Sequence, residues 1–107
     1  MIKVSEFYAD KDNIPDDKIF FPPSLFVAGC PLSLSARLLY GVIFTHAMAT
    51  GCCTDTNWQL AEFVRISSKR ASALVSELVR HKYIDRVVVR DEKTGEVIRR
   101  ELIPLVK

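Results

Sequence analysis

The spacing of apolar residues changes once along this chain, and that change constrains its fold more than any other feature. Between Ala36 and Leu78 the apolar positions recur at helical spacing, and from Ile84 they fall in runs rich in β-branched side chains. The first pattern lines one face of a helix, and the second suits a strand. Ala36, Leu39, Tyr40, Ile43 and Ala47 form the first stripe, in a helix capped by Ser33 and stopped at Thr50-Gly51. Leu38, Val42 and Phe44 widen that stripe, so burial on most sides is expected. Thr56-Asn57-Trp58-Gln59 fits a capping box that opens a short second helix with Leu60, Ala61 and Val64 inward. Arg65-Ile66-Ser67 reads as a tight break. Ser67 then caps a third helix, over about 68–81, with Ala71, Leu74, Val75 and Leu78 inward. Residues 84–90 and 97–103 read as strands joined by a polar turn with Gly95 late in it, which makes a β-hairpin. In one register Arg86 faces Glu101, a favourable cross-strand pair.

With 107 residues the chain holds one domain at most, and at 49% hydrophobic it can bury a core. No apolar run approaches the ~18 residues of a membrane span. The acidic start, MIKVSEFYADKDN, is unlike a signal peptide. Residues 1–18 show no sustained period and read as a flexible acidic arm, which leaves 19–107 as the folded domain. Charge follows the same division: residues 1–32 carry −2 and residues 33–107 carry +4, a body suited to a polyanion. Cys30, Cys52 and Cys53 are odd in number and two are adjacent, which excludes a disulfide framework and fits a reduced, cytoplasmic setting. Their spacing is not that of a chelating pair, and His46 and His81 stand alone in the sequence, so no metal or other cofactor is expected. The chain lacks a Gly-rich phosphate loop, G-x-S-x-G and H-E-x-x-H, so an enzyme is not expected.

Helix, short helix, tight turn, helix and hairpin, in that order, define a mainly α fold of the winged helix-turn-helix class: a three-helix core plus a wing. Two helices joined by so short a turn cross steeply and need small residues where they touch, and Ala61 and Ala71 supply them. The third helix would then present its outer face to a DNA major groove. That face carries Ser68, Lys69, Arg70, Ser72, Ala73, Ser76 and Arg80: cations for guanine or phosphate, hydroxyls for either, and a methyl for thymine. In the hairpin, Arg90, Lys93 and Arg99 are the candidate phosphate contacts, with Arg86 and Arg100 also basic. Phe20, Phe21, Leu25 and Phe26 lie outside the core implied by the stripes, and Trp58 sits away from its helix's inward residues. Exposed, they would form an apolar patch, from which a homodimer is expected. The alternative is a segment folded back on its own first helix in a monomer.

The blocks Phe21-Pro22-x-Ser24-Leu25-Phe26, Leu32-Ser33-x-x-Ala36-Arg37-Leu38-Leu39-Tyr40 and Leu60-Ala61-Glu62-Phe63-Val64-x-Ile66-Ser67 carry a resemblance over about residues 19–103. Together they resemble the N-terminal winged-helix domain of plasmid and phage replication initiators, the RepA-type and DnaD-like proteins of Gram-positive bacteria. The resemblance implies binding to double-stranded origin DNA, dimerisation through this domain and its arm, and contact with other replication proteins. Arg65 and Lys82 stand where such domains usually carry Gly. Initiators also usually continue into a further C-terminal region, so a fragment or a minimal stand-alone binder is expected here. A small transcriptional repressor and a protein–protein interaction module of the same fold are the alternative functions.

Overall fold

A computed structural model describes residues 2–3 and 19–106. Strand β1 (Ile2–Lys3) is followed by a single 3₁₀ turn at Pro23–Phe26, then helices α1 (Leu34–Ala47), α2 (Asn57–Val64) and α3 (Ser68–Arg80). Strands β2 (Ile84–Arg90) and β3 (Val97–Val106) complete the fold. Three helices and an antiparallel hairpin thus share one core, built from Leu39, Ile43, Phe44, Leu60, Leu74, Leu78, Ile84 and Leu102 with their neighbours.

The helix starts follow from their caps. Ser33 accepts from the Ala36 N–H at 3.2 Å to open α1, and Ser67 accepts from the Arg70 N–H at 3.1 Å to open α3. At α2 the capping box is complete: Thr56 accepts from the Gln59 N–H while the Gln59 side chain accepts from the Thr56 N–H. Arg65 ends α2 in the left-handed region, at φ 55°, and Lys82 leaves α3 in the same region, at φ 62°. Buried Ala61 and Ala71 let α2 and α3 approach as the short turn requires.

The sheet is ordered β1-β3-β2, with β3 central. In the hairpin Arg86 lies opposite Leu102 and Val87 opposite Glu101, one residue away from the register that would pair Arg86 with Glu101. Burial decides this. Leu102 is fully buried on the face it shares with Ile84, and a slip of one residue would turn it to solvent. Backbone bonds between Cys53 and Leu102, at 2.8 and 2.9 Å, hold the same register from the other edge of β3. Glu101 instead pairs with Arg99 on its own strand, at 3.0 Å. Strand β3 runs past residue 103 to Val106, where Ile2 and Lys3 pair with Val106 and Leu105. That pairing ties down the start of the expected arm, and residues 4–18 lie outside the described residues.

The segment before α1 folds back across its own helix. The Phe20 N–H donates to Thr45 Oγ1 at 2.8 Å, and the Phe21 ring lies over Gly41, where a Cβ would overlap it. Leu25 is 0% exposed and belongs to the core. It is therefore no part of an exposed dimer patch, and Phe20 is half-buried against the same core. On α1 itself, Val42 and Phe44 are buried as the widened stripe requires, but Leu38 is 54% exposed.

Candidate nucleic-acid interface

The sequence of α3 divides its two faces. Ala71, Leu74, Val75 and Leu78 are buried, while Lys69, Arg70, Ser72, Ala73, Ser76 and Arg80 are exposed and Ser68 is half-buried. Glu77 is the only acid on the helix, and it is engaged elsewhere: it accepts from the Ser33 N–H at 2.8 Å and from the Ser33 hydroxyl at 3.1 Å. That contact locks the start of α1 to α3. Among the described residues no carboxylate lies within salt-bridge distance of Lys69, Arg70 or Arg80. The cations on this face are therefore not engaged in ion pairs among the described residues.

The hairpin's basic residues separate into three kinds. Lys93 is exposed in the turn, where its N–H and that of Thr94 donate to Asp91 Oδ1, at 2.7 and 3.3 Å. This Asx arrangement, with Gly95 at φ 74°, sets the turn. Arg90 is exposed at a bulge and donates to the Gly95 carbonyl at 3.0 Å, while Arg99 is exposed but paired with Glu101. Arg100 is structural. Its guanidinium donates to Asn57 Oδ1 at 2.6 Å and to the Asp55 carbonyl at 2.9 Å, which fastens β3 to the start of α2. Burial lowers the Arg100 pKa from its ordinary value, and the Cys53 and Asp55 side chains oppose that shift.

Trp58 is 67% exposed in the first turn of α2 and faces an open groove lined by Ala61, Glu62, Arg65, Ile66, Ser67 and Ser68. It therefore sits beside the start of α3, apart from the phenylalanines grouped with it from the sequence. Those lie on the outside of α1. Phe21 and Phe26 meet edge to face at 6.2 Å and share a shallow groove with Leu34, Arg37 and Leu38. Phe63 extends this apolar surface through a second groove with Ile19 and Val42. Sequence reasoning missed Leu34, Leu38 and Phe63. Leu34 and Leu38 are four residues apart on one turn of α1, a spacing that could have marked a second stripe.

His46, which the sequence left isolated, is brought by the fold to Asp55 and Cys53. Among the described residues it is the one grouping of metal-ligating side chains.

Comparison with protein-family models, with curated proteins and with solved structures returned no match. Among the described residues no helix is long and apolar enough to cross a membrane.

Proposed function

We propose that this chain is a winged helix-turn-helix protein that binds double-stranded DNA, with α3 in the major groove and the β2–β3 hairpin as its wing. The observation that carries the proposal is the outer face of α3: exposed Lys69, Arg70, Ser72, Ser76 and Arg80, with Glu77 drawn off to Ser33. Hydroxyls and cations at that spacing suit base edges and flanking phosphates. Lys93 and Arg90 are the wing residues placed to meet phosphate, and the pairing of Arg99 with Glu101 makes it the weaker contact. Trp58 and Arg65 border the groove beside the start of α3, so they flank the same DNA strand in this reading.

The role we propose is initiation of plasmid or phage replication, resting on the resemblance of the Leu32-Ser33-x-x-Ala36-Arg37-Leu38-Leu39-Tyr40 block to replication initiators. A dimer would use the outer face of α1 with Phe21 and Phe26, and would set two reading helices on one side of the duplex. Fluorescence anisotropy on duplex DNA tests the binding. Lys69→Ala should cost about 1–3 kcal/mol on a preferred site if Lys69 reads a base. Equal affinity of the wild type and a Lys69→Ala/Arg70→Ala variant would overturn the assignment of α3. Affinity that does not fall as salt rises would instead favour a protein–protein module.

A further inference from the structure

Three side chains of different metal-ligating chemistry converge where α1 ends and the chain turns toward α2. His46 lies in the last turn of α1, and Cys53 and Asp55 lie one residue apart in the extended segment that follows. One donor atom from each falls within 4.8 Å of the others. His46 Nδ1 is already bonded to Asp55 Oδ2. We propose that His46, Cys53 and Asp55 form a divalent transition-metal site, of the class that takes zinc, with water completing the coordination.

Donor chemistry sets the class of ion. A thiolate, an imidazole and a carboxylate suit a borderline-soft ion and not magnesium or calcium, which take oxygen ligands. Charge agrees, because a thiolate and a carboxylate together neutralise a divalent ion. Binding replaces the S–H bond of Cys53 with an S–metal bond, and the proton leaves to solvent. Arg100 Nε is buried without a partner among the described residues.

The supports are rigid. Cys53 is pinned through its backbone to Leu102 in both directions, and the His46 ring packs edge-on against Phe63 at 4.6 Å. Tetrahedral bonds of about 2.0–2.3 Å place donor atoms roughly 3.3–3.8 Å apart. The three donor atoms lie within 4.8 Å of one another, so metal binding draws the widest pair together by about 1 Å or more. Side chains of His46 and Asp55 are 26% and 24% exposed, which gives an ion a way in, whereas Cys53 is buried.

Cobalt(II) is the probe. Titrated into chelator-treated protein, it should give a near-ultraviolet thiolate-to-cobalt band and the intense visible bands of four-coordination, both displaced by zinc. Cys52→Ser and Cys30→Ser should keep the spectrum. Cys53→Ser should abolish the near-ultraviolet band, and His46→Gln or Asp55→Asn should weaken binding at least tenfold, roughly the least that loss of even a supporting group costs. Circular dichroism checks that each variant folds. The wild-type spectrum decides the matter even if a variant does not fold: weak six-coordinate bands with no thiolate transition would overturn the proposal. So would a thiolate band that survives in folded Cys53→Ser.

Discussion

Arg65 and Lys82 hold backbone that L-residues adopt at a cost, with φ 55° and φ 62°. Both were marked in the sequence as standing where glycine is usual, and the structure places both in the left-handed region. Arg65→Gly and Lys82→Gly should each raise stability by about 1 kcal/mol, since glycine removes the Cβ clash, less its own entropic cost. Urea midpoints at constant m-value check this. Cys53 behaves differently. Burial pushes its thiol up to about 12 from the ordinary value of 9.0, with the Asp55 backbone N–H opposing and the Asp55 charge adding to the rise. The folded chain therefore holds this proton more tightly than the unfolded chain. Its contribution is present below about pH 9 and is lost as pH rises toward about 12. Burial raises the Tyr40 phenol as well, which acts in the same direction. Thermal melts in chelator should therefore show a shallower alkaline loss for Cys53→Ala than for the wild type.

At the scale of elements, the segment 19–27 is where sequence and structure differ most. Periodicity cannot place a nine-residue piece broken by Pro22 and Pro23, because it has too few turns to show a stripe. The fold assigns its residues one at a time: Leu25 inward, Phe21 over Gly41, Phe26 out at 65% exposure. Leu25→Ala should accordingly cost about 2–5 kcal/mol, as truncation of a core side chain does. Phe26→Ala should stay within about 0.5 kcal/mol in the monomer. Equal losses for the two in urea unfolding would mean that the segment is not anchored as described. The hairpin yields a second test. Arg90→Ala and Lys93→Ala should weaken binding to all duplexes alike and flatten the salt dependence by about one unit per contact. A loss confined to one base position would make these residues readers of sequence.

At the scale of the molecule, α1 is apolar on two sides. Its inner side is the centre of the core, while Leu34 and Leu38, at 73% and 54% exposure, face outward beside Phe21 and Phe26. The proposed dimer would cover this apolar cluster. Light scattering at micromolar concentration should give twice the 12.1 kDa mass for the wild type. The Leu34→Ser/Leu38→Ser variant should return to the single-chain mass with its helix content intact. A wild type that scatters as one chain would remove the dimer and leave the α3 face unaffected.

The three helices, their caps, the tight turn and the hairpin were legible in the residues, because each depends on contacts within a few positions: a serine three residues from an amide, a stripe repeating every turn, a glycine in a turn. Local chemistry also singled out the outer face of α3. What the sequence could not determine are the contacts that join distant segments. Leu102 chose the hairpin register because only one alignment buries it. Glu77 was taken by Ser33 and Arg100 by Asp55 and Asn57, so one acid and one cation of the basic body became struts. His46 meets Cys53 and Asp55 where the chain turns back after α1 and Cys53 bridges to Leu102. Such pairings follow from how the elements pack, and no spacing along the chain encodes them.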